Sequence, residues 1–149
     1  ASEARFYPIY AKCAELGVPV FITMAPPPQV PGAILEYADP RDVDRVARAF
    51  PELTLIMSHG AYPYVNECLF VCQRNANVYM DFSEYERAPM VDVFVQGMNG
   101  PVADKVLFAS AHPFIELKDA LEAYARFDLS EEVRRKVMYE NARRVLGLG

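Results

Sequence analysis

Chemistry in this chain of 149 residues has to be built around two histidines, His59 and His112, with carboxylates and hydroxyls placed near them. His59 ends the run Leu53-Thr-Leu-Ile-Met-Ser-His59-Gly60. The run shows no polar alternation, which suits a strand covered on both faces that stops at the histidine and turns at the glycine. A histidine there can act as a metal ligand, a general base or an orienting hydrogen-bond partner, because it titrates near neutrality. In a parallel sheet the C-terminal strand edges gather ligands and chemistry, since the loops there vary while the strands stay rigid. The residues ending the other strands therefore join the same candidate site. His59, His112 and Asp81 are its candidate catalytic groups, and Thr23, Ser58, Ser83 and Ser110 its candidate substrate-binding groups.

The elements that must position these residues alternate regularly. Phe6, Ile9, Tyr10, Cys13 and Leu16 fall at helical spacing before Gly17, and residues 18–23 then read as a short apolar strand. Ala25-Pro-Pro-Pro-Gln-Val-Pro-Gly32 is too proline-rich for either regular structure and predicts a stiff loop at the strand's C-terminal edge. Asp39-Pro40 is a helix start, with Val43, Val46, Ala47 and Phe50 as its buried stripe and Pro51 as its end. After the His59 strand, a helix is expected from Tyr62 through Cys72, closed near Asn75. Residues 78–83 read as a strand, 90–98 as a helix broken by Gly97, and 105–110 as a fourth strand. An amphipathic helix follows over 115–127, with Leu117, Ala120, Leu121 and Tyr124 on one face. Ser130-Glu-Glu-Val opens the last helix, whose inner face carries Val133, Val137, Met138, Ala142 and Val145. Strict strand–helix alternation predicts an α/β fold, a parallel sheet with helices packed outside it, in a single domain over 1–149.

Composition excludes several classes. A formal charge of −5 spread along the chain argues against nucleic acid, which needs a basic face. No apolar run approaches the roughly 20 residues of a membrane span, and no basic-then-apolar leader opens the sequence, so the expected compartment is the cytoplasm. Cys13, Cys68 and Cys72 are odd in number and lack CxxC spacing, so they read as small apolar filler rather than a disulfide or zinc framework.

Taken together, Val18-Pro-Val-Phe-Ile, Phe50-Pro-Glu-Leu-Thr-Leu-Ile-Met-Ser-His-Gly, Asn77-Val-Tyr-Met-Asp-Phe-Ser, Lys105-Val-Leu-Phe-Ala-Ser-Ala-His-Pro-Phe and Glu140-Asn-Ala-Arg-Arg-Val-Leu resemble the amidohydrolase-related family, metal-dependent hydrolases and decarboxylases built on a TIM barrel. The resemblance covers nearly the whole chain but about half of the family's domain. It implies half of a TIM (β/α)8 barrel: the last four strand–helix units plus a C-terminal helix. It also implies a zinc-like divalent ion held by a His-x-His pair on the first strand, histidines ending the fifth and sixth, and an aspartate ending the eighth. Histidine nitrogen and carboxylate oxygen suit such an ion, and an open coordination position activates water. On that pattern His59 is the sixth-strand ligand, Thr23 replaces the fifth-strand histidine, and Ala109-Ser110-Ala111 replaces the Gly-Ser-Asp ending. The metal site thus reads as degenerate, with His112 one residue beyond the lost aspartate and a metal-free pocket as the expectation.

Three function classes follow. The first is a hydrolase or carboxy-lyase relative acting on a small acid or amide, with His59 as acid, base or orienter. The second is a non-catalytic binding or assembly module. The third, an open doubly wound nucleotide-binding sheet, lacks a GxGxxG or P-loop after its first strand. A half barrel leaves edge strands unpaired and an inner face wet, so it predicts an N-terminal half-barrel partner or a second copy to complete it. The start at Ala1, inside what reads as a complete helix, is compatible with a fragment of a longer precursor.

Overall fold

Leu55, Ile56 and Met57 are apolar in succession and all three are fully buried, which makes β2 (Leu55–Ser58) the centre of the sheet. A computed structural model describes residues 1–26 and 30–148. β1 (Val20–Thr23) pairs with β2 on one side and β3 (Val78–Met80) on the other, all parallel, in the order β1-β2-β3. The register sets Phe21 beside Ile56 and Thr23 beside Ser58, then Ile56 beside Tyr79 and Met57 beside Met80. Successive side chains of a strand take opposite faces. One face therefore carries the rows Val20–Leu55–Val78 and Ile22–Met57–Met80, which pack into the core under the helices. The other face carries Phe21–Ile56–Tyr79 and then, toward the C-terminal edge, Thr23 and Ser58.

The fourth strand expected over 105–110 is reduced to one bridged residue. Met80 N–H donates to Lys105 O at 3.0 Å and Leu107 N–H to Met80 O at 2.8 Å, which sets Val106 parallel to Met80. Phe108 N–H, on the edge of the segment that faces away from β3, donates to Val137 O at 2.9 Å. Even so, the four segments lie in sequence order with no switch point, unlike a doubly wound sheet, whose strand order reverses.

The helices follow the alternation: α1 (Tyr7–Leu16), α2 (Pro40–Ala49), α3 (Val65–Arg74), α4 (Val91–Met98), α5 (Leu117–Ala125), and α6 (Glu131–Arg135), which continues through a π-helical turn (Lys136–Glu140) into α7 (Asn141–Val145). Asp39 caps α2 by accepting from Arg41 N–H at 2.9 Å, and Ser130 caps α6 by accepting from Val133 N–H at 3.3 Å. Gly97 does not break α4. It lies inside the helix at a close approach, where a Cβ would come within 2.8 Å of Leu69 Cδ2. Pro27, Pro28 and Gln29, the middle of the expected proline-rich loop, lie outside the described residues.

The expected stripes are only half buried at the two ends of the sheet. Ala120 and Tyr124 of α5 are buried, whereas Leu117 is 50% and Leu121 42% exposed, and on β1 Phe21 is 54% exposed.

Asn141 ties the last helix to the shortened fourth segment. It is fully buried, and its Nδ2 donates to Ala103 O at 2.9 Å and Val106 O at 2.8 Å. Asn141→Ala strands one buried and one part-buried carbonyl and is expected to cost about 2 kcal/mol in urea denaturation. Asn141→Asp, which replaces the donor with a second acceptor, is expected to cost at least as much.

Candidate functional site

The chain leaves β2 through three successive residues at positive φ: His59 (64°), Gly60 (58°) and Ala61 (51°). Each non-glycine residue in that region costs roughly 1–2 kcal/mol. Glu84 follows β3 at φ 72° and Ala111 follows the fourth segment at 54°. All four positive-φ non-glycine positions among the described residues therefore stand just past a strand's C-terminal end, where strain accumulates at functional sites.

The left-handed turn is held by Asp81. Asp81 N–H donates to Met57 O at 3.1 Å, closing the Met57–Met80 pair, and Gly60 N–H donates to Asp81 O at 2.6 Å just beyond that pair. The Asp81 carboxylate is almost completely buried, and its Oδ1 accepts three bonds: from Ser83 Oγ at 2.7 Å, Ser83 N–H at 3.1 Å and His59 N–H at 3.4 Å. His59 Nδ1 lies 2.9 Å from Ser83 O and 3.3 Å from Ser83 Oγ. A carbonyl can only accept, and Ser83 Oγ has spent its proton on Asp81, so Nδ1 carries the imidazole proton. Nε2 is left with its lone pair, the form that ligates a metal or takes a proton. Glu84 Oε2 stands 3.6 Å from the same Nδ1. Tyr85 covers the ring edge-on at 6.2 Å and is itself stacked on Tyr62 at 4.5 Å.

Of the residues expected at this edge, His59, Asp81 and Ser83 converge through hydrogen bonds. Ser58 and Thr23 are register neighbours but bond to none of those three side chains, and Thr23 is exposed on a second cleft of about 320 Å³ with Tyr10 and Tyr37. Ser110 and His112 pair with each other, His112 N–H donating to Ser110 Oγ at 3.3 Å, while the exposed His112 ring makes no hydrogen bond to His59 or Asp81 among the described residues.

The zinc-like ion implied by the resemblance does not fit the donors of this chain alone. Among the described residues no group of three or more His, Cys, Asp or Glu side chains is placed to hold a metal. His59 is the single imidazole of the cluster, the best-placed oxygen of Asp81 already serves three donors, and Thr23 and Ala111 close the strands where ligands are expected.

Sequence reasoning missed Glu84 and Glu86, although Ser83-Glu-Tyr-Glu86 directly follows a strand. Glu86 is buried, and its Oε1 and the Tyr124 hydroxyl are buried without hydrogen-bond partners among the described residues. Burial pushes both the Glu86 carboxyl and the Tyr124 phenol up from their ordinary values. For Glu86 the native state keeps a proton that the unfolded chain releases. Its contribution is complete below the ordinary value of 4.5 and is lost as pH rises through the raised one. Glu86→Gln is therefore expected to be nearly neutral at about pH 4 and stabilising at about pH 8, read by thermal melts across that range.

The amidohydrolase family model matches residues 1–148. Among solved structures, an uncharacterised TIM-barrel protein from Bordetella bronchiseptica is 33% identical with a TM-score of 0.88, matching 98% of this chain and 51% of its own. A dihydroxybenzoic acid decarboxylase from Polaromonas sp. JS666, bound to manganese and 2-nitroresorcinol, is 18% identical with a TM-score of 0.73, matching 99% and 55%. The 4-oxalomesaconate hydratase of Rhodopseudomonas palustris is 23% identical with a TM-score of 0.67, matching 98% and 51%. At those lower identities the likeness is one of fold. No curated sequence matches the chain significantly. The chain spans about half the length of these barrels, and its consecutive parallel strands with outer helices are half of a TIM (β/α)8 barrel. With the match running almost from end to end and the strands in barrel order, the chain belongs to the amidohydrolase family.

Proposed function

We propose that this chain forms the C-terminal half of an amidohydrolase-type barrel and that His59 acts at its mouth on a small acid or amide, as a hydrolase or carboxy-lyase does. The observation that carries this reading is the anchored imidazole: Nδ1–H is committed to Ser83 O at 2.9 Å, which leaves Nε2 as the reactive atom. The Asp81–Ser83 pair sets the ring's orientation, so Nε2 holds or moves a proton without first having to reorient. A complementary half barrel, from a partner chain or a second copy, covers the exposed Phe21 and Leu117 ends of the sheet and supplies the groups that this half lacks.

His59→Gln keeps a polar side chain but removes the titratable nitrogen. In the assembled protein it is expected to lower kcat by about 100-fold or more with KM little changed, the usual scale for a positioned acid–base group. An unchanged kcat would exclude His59 from the chemistry.

A second reading, a non-catalytic binding or assembly module, is favoured by Thr23 and Ala111 at strand ends. It predicts no turnover of small amides or carboxylic acids by the assembled protein, with ligand binding intact.

A further inference from the structure

We infer that the outer face of α3, with the flank of α2, is a two-fold interface between two copies of this chain, with Phe70 at its centre and Glu67 of each copy paired with Arg74 of the other. Asn66, Glu67, Phe70, Gln73 and Arg74 are the exposed residues of α3, and their spacing gathers them into one outward stripe. A groove of about 410 Å³ runs beside the stripe, walled by Arg41 and Asp44 of α2 and by Asn66, Glu67, Phe70 and Arg74 of α3. Phe70 is 60% exposed, its ring centroid 5.9 Å from the Arg74 guanidinium. α3 packs between α2 and α4, away from β1 and the fourth segment where the sheet ends. Completing the barrel therefore leaves this ring in water, since the helices form the outer layer.

The pattern of charge selects a second copy as the occupant. In an antiparallel helix pair related by a two-fold axis, whatever residue i meets on the partner, that residue meets i in return. With the axis between Phe70 and Val71, position 67 of one copy faces position 74 of the other. Those positions carry opposite charges and stand two turns apart on the same face. Glu67 forms no ion pair among the described residues, where Arg41 is taken by Asp39 and Arg74 by Asp44. Arg74 is able to exchange partners. It lies at the half-exposed rim, 3.4 Å from Asp44, whose carboxylate keeps Arg48 at 3.2 Å and Asn75 at 2.9 Å without it.

The two Phe70 rings then leave water together as the apolar centre of the contact, and two Glu67–Arg74 pairs flank them as its polar rim. One helix face with its groove is a small interface, so association is expected at micromolar concentrations. The contact is separate from the sheet ends, and it forms on single chains and on completed barrels alike.

The test is sedimentation velocity of the full chain over a concentration series of about 1–300 µM. A reversible doubling in mass of the unit present at the lowest concentration is expected. Phe70→Ser is expected to weaken that doubling about tenfold or more. Glu67→Arg and Arg74→Glu each oppose like charges at both ends of the contact, and each alone is expected to weaken it about tenfold or more. An equimolar mixture of these two variants is expected to recover it, because each copy then meets the opposite charge at both positions. Melting curves check that these exposed substitutions leave the fold intact, and recovery in the mixture is a result that misfolded variants do not give. No doubling in the unsubstituted chain, a doubling untouched by Phe70→Ser, or a mixture no tighter than either variant alone would each overturn the proposal. Failure of assembly through the sheet ends would change none of these results.

Discussion

Asp81→Ala is expected to lower the melting temperature by about 6–12 °C, the equivalent of about 3 kcal/mol in a domain of this size. Asp81 Oδ1 is the shared acceptor of Ser83 Oγ–H, Ser83 N–H and His59 N–H, and the carboxylate is nearly inaccessible to water. Alanine leaves all three donors without that partner, and each buried orphan costs about 1 kcal/mol or more. The turn at His59 is also strained, so its retention depends on the contacts that oppose that strain. Asp81→Asn keeps an acceptor oxygen at the same place and is expected to cost under about 1.5 kcal/mol, on the scale of a neutral for a charged hydrogen bond. Thermal melts by circular dichroism separate the two. Equal losses in both variants would mean that charge, not the acceptor, holds the turn.

Gly60→Ala is the larger disruption. Gly60 sits at φ 58°, and a Cβ there would come 2.3 Å from Phe94 Cζ, 2.6 Å from Phe94 Cε1 and 3.2 Å from Phe82 Cβ. Phe94 has no room to retreat: it is fully buried and stacked on Phe82 with ring centroids 4.8 Å apart, and Phe82 stacks in turn on Tyr124 at 5.0 Å. Overpacking of about 1–3 kcal/mol and a left-handed alanine at about 1–2 kcal/mol act on the same residue. A combined loss of about 3–4 kcal/mol is expected, measurable as a shift of the urea midpoint. Pairing Gly60→Ala with Phe94→Leu, which shortens the offending ring, is expected to recover part of that loss and so to show strong non-additivity.

The legible parts of this protein were those in which one physical signal dominates. The buried run 53–58 fixed β2, Asp39-Pro40 fixed the start of α2, and Ser130 fixed that of α6, because burial and capping are local and strong. Alternation of strands and helices was enough to anticipate a parallel sheet, and the spaced motifs were enough to anticipate its half-barrel arc. The fourth strand was overestimated because composition marks residues 105–110 as suited to a strand but does not say how many of them find a ladder partner, and Val106 alone is bridged, to Met80. Leu117 and Leu121 matched a buried stripe by spacing, but spacing cannot tell whether an element exists to cover it. At strand ends the structure joins His59, Asp81 and Ser83 by hydrogen bonds, and the strand-end rule listed them together with other residues. It could not separate them from His112, because the direction of a side chain after Ala111, at φ 54°, depends on a turn that composition does not encode. Glu86 went unnoticed for a related reason: its interest lies in burial without a partner, a property of packing alone.

Light scattering on the folded chain, alone and with a complementary half barrel, tests the proposed completion of the half barrel most directly. Completion predicts a mass at least twice that of the single chain, as a homo-oligomer or a complex, with Phe21 and Leu117 losing solvent exposure on assembly. A cooperatively folded monomer that stays monomeric in both samples would contradict it.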